Sequence, residues 1–183
     1  MTTDTPISRE LQVADAYISD IERQLDDVER LEIVSCQLAV EKIYAGDLAL
    51  AQRAVDKAEA QGADVAEARA KIAHTAGKLA LAVSRGKGNQ IYVDVRKRWA
   101  LHAIENLTSA SVQLPIPDVF YHLGFAYIEA DNLPEAIAAF RKVEQHQQSP
   151  LSIEASKEIG RLEARMEQST PVAAPAKTVA GKP

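Results

Sequence analysis

Apolar positions recur in steps of three and four along most of the chain, the spacing of one helical face. Leu11, Ala14, Ile18, Ile21, Leu25 and Val28 draw a seam along a first helix, close to three heptads long. Asp26 and Glu29 in "DDVER" fit either a fresh helix start or the solvated side of one continuous helix, so residues 8–45 read as one helix or two. Further helices are predicted at about Glu29–Ala45, Leu48–Gln61, Val65–Ser84, Val93–Ala110, Asp118–Ala130, Leu133–Gln147 and Leu151–Gln168. No proline falls between Pro6 and Pro115, so nothing forbids long helices there, and Gly46 and Gly62 mark two turns. The β-like run "QIYVDV" is short and solitary, and the fold class is therefore all-α.

Composition sharpens that picture. The chain has 183 residues, 46% hydrophobic and only 5% aromatic, enough for one domain whose helices pack through small side chains. Residues 1–7 are polar and are expected to be disordered. Ser169–Pro183, with three prolines and four alanines in fifteen residues, lack the apolar content to order themselves. Residues 8–168 are expected to form the domain.

Charge and cysteine content exclude some functions. A net charge of −5 argues against nucleic acid as partner. The lone Cys36 offers no internal disulfide, no signal peptide is apparent, and no apolar run is long enough for membrane insertion, so a cytoplasmic protein is expected. The histidines His74, His102, His122 and His146 are scattered, with no carboxylate or cysteine at metal-ligand spacing. No nucleophile, base and oxyanion site come together. The expectation is no enzyme, no catalytic residues, no metal and no cofactor.

One segment has a fixed-looking pattern of large and small residues. Phe120, Leu123, Gly124 and Tyr127 share a helix face, as do Ala136, Phe140 and Val143 on the next helix. Gly124 and Ala136 allow close approach, and the aromatic rings fill the space around them. Phe120-x₂-Leu123-Gly124-x₂-Tyr127-x₈-Ala136-x₃-Phe140, followed by Pro150, resembles the tetratricopeptide repeat, a helical hairpin of 34 residues. Phenylalanine stands in place of the family's tryptophan, and the proline comes two residues late. Ala51, Val55 and Ala58 repeat the second-helix spacing, with Leu38 and Ala39 at the Leu123 and Gly124 positions and Lys42 in place of tyrosine. Ala100, Ile104 and Leu107 repeat it again in a degenerate unit.

The resemblance implies a right-handed superhelical stack of antiparallel helix pairs, an α-solenoid. Its repeats would span about 32–65, 66–116 and 117–150, with an N-terminal helix before them and a capping helix at 151–168. It further implies a concave groove that holds a peptide or helix of another protein, lined here by Asp118, Tyr121, His122, Phe125, Ile128 and Glu129. Tyr121, Phe125 and Ile128 fall outside the packing face, so a partner, a neighbouring helix or a second copy of the chain could cover them. A family groove that clamps chaperone C-termini needs cations and amides where this chain has Cys36, Val40, Asp118 and His122, so that ligand is not expected.

The basic residues Arg85, Lys87, Arg96, Lys97 and Arg98 contrast with an acidic segment at residues 1–32, and read as a solvated loop or as an electrostatic contact for an acidic partner or another copy. The expected function is a noncatalytic protein-binding adaptor, scaffold or assembly chaperone. A chaperone of the type III secretion kind is the narrower alternative. A structural subunit self-assembling through the seam Leu11–Val28 is the alternative of another class.

Overall fold

A computed structural model of the chain describes residues 6–31, 46–86 and 93–169. Among the described residues there are seven α-helices and no strand: α1 Pro6–Leu31, α2 Asp47–Ala60, α3 Ala66–Arg85, α4 Val93–Gln113, α5 Pro117–Glu129, α6 Leu133–Glu144 and α7 Leu151–Ser169. The expected helix at Glu29–Ala45 lies outside the described residues beyond Leu31. Within them α1 runs unbroken through Asp26, which excludes a helix start there. It also begins at Pro6, inside the segment expected to lack order. The last three residues of the β-like run, Val93–Val95, open α4.

Two turns show how the chain reverses. After α2, Gly62 adopts φ 87° and donates its N–H to Glu59 O at 2.8 Å, while Ala63 N–H reaches Ala58 O at 3.0 Å. After α5, Asp131 takes the same role with φ 59°, its N–H on Ile128 O at 3.0 Å and that of Asn132 on Tyr127 O at 2.9 Å. Both are Schellman closures, which satisfy the last carbonyls of a helix and stop it sharply. The second leaves only Ala130–Asn132 between α5 and α6, so the two helices fold back on each other.

Each of α3 to α7 packs on its chain neighbour. In addition α3 contacts α5, and α5 contacts α7. Two buried apolar clusters result. The first joins Ala14, Ile18, Ile21 and Leu25 of α1 to Ala51, Val55 and Ala58 of α2 and to Leu79 and Val83 of α3. The seam of α1 is therefore buried within the chain; its last member, Val28, lies outside the described side chains. Among the described residues α1 packs on Ala51, Val55 and Ala58; the first helix of the expected first repeat, with Leu38, Ala39 and Lys42, lies outside the described residues. The second cluster holds Leu107 of α4, Phe120 and Leu123 of α5, Ala136, Phe140 and Val143 of α6, and Ala155, Ile159 and Leu162 of α7. Trp99 packs against both.

Close approach in two hairpins depends on a glycine. A Cβ on Gly124 would stand 2.6 Å from Phe140 Cζ, and one on Gly77 would stand 2.5 Å from Leu107 Cγ. Phe140 and Leu107 are completely buried, each filling the hollow that a glycine leaves on the facing helix.

Candidate functional site

The residues expected to line a groove lie on α5, and two independent contacts fix how that helix sits. Pro117 occupies its first turn, where a missing N–H is harmless, and Asp118 adds an acidic group at the positive end of the helix dipole. Residues 118, 122, 125 and 129 then recur every three or four positions, so they form one stripe. α3 lies along this stripe.

At the N-terminal end of the stripe, Asp118 meets two histidines. His74 of α3 brings Nε2 to 3.1 Å from Asp118 Oδ2, and His122, one turn on, has Nδ1 3.4 Å from Asp118 Oδ1. His122 Nδ1 is also 2.8 Å from the Asp118 carbonyl oxygen. A carbonyl can only accept, so the imidazole donates from Nδ1. The His74 and His122 rings meet edge to face, 5.8 Å apart. Only 8% of the His74 side chain is exposed, and its Nε2 makes no well-formed hydrogen bond although Asp118 Oδ2 is 3.1 Å away.

Burial by itself would raise the Asp118 pKa. The His74 contact and the positive charge on His122, His74 and Lys78 overcome this and pull it to about 2. Burial pushes the His122 pKa down, against the opposing pull of Asp118.

The middle of the stripe is aromatic. Tyr121 and Phe125 stand 5.1 Å apart, and both meet the buried Phe140, at 5.8 and 5.3 Å, edge to face. Tyr121, Phe125 and Ile128 are half-buried and pack on the second core cluster. They therefore do not stand apart from the packing face: Tyr121 and Phe125 support Phe140, and Ile128 packs on the same cluster. Burial and the acids Glu154 and Glu158 raise the Tyr121 pKa.

The C-terminal end is ionic. Glu129 lies 4.0 Å from Arg85 of α3 and 3.8 Å from Arg96 of α4, and Asp131 pairs with Lys97 at 2.9 Å. The Arg85 guanidinium also covers the Phe125 ring at 4.8 Å. Three of the basic residues expected to meet an acidic partner thus have acidic partners within the chain, because α3 and α4 pack directly on α5. Arg98 is exposed, and Lys87 lies outside the described residues.

The expected stripe is brought together as one surface. What sequence reasoning missed is His74, far away along the chain and delivered only by α3 packing on α5. The Asp118-x₃-His122 spacing was a readable signal for half of the cluster, because such a pair shares a helix face. The other histidines stay apart: His102 lies on α4 beside Trp99, with ring centres 5.9 Å apart, and His146 is exposed after α6. Among the described residues, no helix is long and apolar enough to cross a membrane. No family model matches the chain, and neither does any curated protein or solved structure.

Proposed function

We propose that this all-α chain is a noncatalytic binding module, built as a tetratricopeptide-like α-solenoid, which holds a peptide or helix of another protein. The docking wall in this reading is made by α3, α5 and α7, with Tyr121, Phe125 and Ile128 as its apolar floor and Asp118, His122 and Glu129 as its polar edges. One observation carries it: α3 contacts α5 and α5 contacts α7, each in addition to the helix between them, so alternate helices lie along one side of the stack. In a repeat stack that side is the concave one, where extended ligands bind. Half-buried aromatic rings supported from behind by Phe140 suit such a wall, since their rigidity lowers the entropy lost on binding.

The alternative of assembly through α1 loses its surface, because Ala14, Ile18, Ile21 and Leu25 are covered by α2 and α3. A photo-crosslinking amino acid at Ile128 tests the proposal against one at Leu101, a 60% exposed residue of α4 on the other side. Partner proteins are expected to crosslink at position 128 and not at 101. Equal capture at both positions, or capture at 101 alone, counts against the groove.

A further inference from the structure

We propose that His74, Asp118 and His122 form a binding site for a divalent transition-metal ion of the zinc class. The ligand atoms of these three residues lie within 4.8 Å of one another, although they come from two helices. Two imidazoles and a carboxylate are a donor set that zinc accepts, with three protein ligands and a fourth position left to water. Calcium and magnesium prefer all-oxygen shells, so the imidazoles select against them.

A second observation points the same way. His74 is nine-tenths buried, yet its Nε2 has no hydrogen bond, which is costly for a polar atom unless something else binds it. A metal ion between His74 and Asp118 would satisfy that nitrogen. The tautomer of His122 is the one a metal needs: its Nδ1–H is held by the Asp118 carbonyl, which leaves the lone pair on Nε2.

Tetrahedral zinc with bonds of about 2.1 Å needs its ligand atoms roughly 3.4 Å apart, so the cluster must tighten slightly. Asp118 and His122 are on the solvent side, 38% and 22% exposed, whereas His74 is buried. Their exposure also gives the ion an entry path. Lys78 is the opposing charge, felt by both Asp118 and His122, but its Nζ lies 3.9 Å from Glu22 of α1. Asp118 and His122 also edge the docking wall, so metal binding is tested on the chain alone, and its failure is distinguishable from failure of the wall.

Titration calorimetry with Zn²⁺ on the untagged, chelator-treated full chain provides the test. One ion per chain is expected to bind with micromolar affinity or better. Asp118→Asn and His122→Gln, both on the exposed side, are each expected to weaken binding about tenfold or more. His146→Gln, at an exposed histidine elsewhere, should leave it unchanged. Wild-type binding no tighter than that of Asp118→Asn, or an equal loss in His146→Gln, overturns the proposal. Should either site variant lose its helical circular dichroism, wild-type protein with diethyl pyrocarbonate decides instead. Zn²⁺ should then protect His122 from modification but not His102 or His146, and uniform protection or none overturns the site.

Discussion

Gly124 and Gly160 both lie inside helices, and the same change to alanine is expected to move stability in opposite directions. Alanine in a helix is worth about 1 kcal/mol over glycine. At Gly160, exposed on α7 with nothing within 4 Å of a new Cβ, that gain should appear almost whole. At Gly124 the Cβ would meet three Phe140 ring atoms at 2.6 to 2.8 Å. The ring is fully buried and backed by Tyr121 and Phe125, so it has little room to yield. Overpacking of this kind costs about 1–3 kcal/mol, which outweighs the propensity gain. Urea denaturation should therefore show Gly160→Ala more stable than wild type and Gly124→Ala less stable. Two shifts of the same sign would contradict the packing of α5 on α6. The role of Gly124 was legible beforehand, because its neighbours at fixed spacing lie on the same two helices. The role of Gly77 was not, because Leu107 stands on a helix whose register against α3 no local pattern reveals.

Helices α3 and α5 are joined through Asp118, and this contact should depend on pH. The folded-state pKa of Asp118 is about 2, below its ordinary 3.8, so the folded chain holds the carboxylate more readily than the unfolded chain does. Its stabilising contribution is complete above pH 3.8 and fades as pH falls towards 2. Asp118 is more than one-third exposed, which keeps the effect modest through solvent screening. Replacing it with asparagine should flatten this part of the stability-versus-pH curve, as followed by acid titration with circular dichroism. An unchanged acid limb would mean that other carboxylates dominate it. The same contact shows where sequence reading stopped: element positions were read to within a few residues, as for α2, α3 and α5, but which elements touch was not. His74 and Arg85 of α3 read as an isolated histidine and a loop cation until α3 lay against α5.

For the whole molecule, the question is what covers the apolar face of α6. Ala155, Ile159 and Leu162 of α7 are buried against the cluster that contains Phe140 and Val143 of α6. A chain truncated after Pro150 would expose that apolar face to water, and exposed contiguous patches drive association. Such a truncation is expected to unfold at lower urea and to form concentration-dependent aggregates in light scattering. A monomer with an unchanged midpoint would show that α7 is not needed to close the core. Arg141 of α6 also pairs with Glu163 of α7 at 3.0 Å, but both are well exposed, so this pair contributes little beside the apolar contact.

The sequence by itself determined the helical class, most helix limits and the Gly124–Phe140 hairpin, because each depends on periodicity and on residues close together in the chain. Only the tertiary structure decided that α1 is an internal partner of α2, that Tyr121 and Phe125 support Phe140, and that Arg85, Arg96 and Lys97 are neutralised within the chain. It alone brought His74 to Asp118 and His122. The physical reason is the same throughout: helical periodicity records which face of a helix is apolar, but not which other helix covers that face, and charge or metal chemistry arises where two such faces meet.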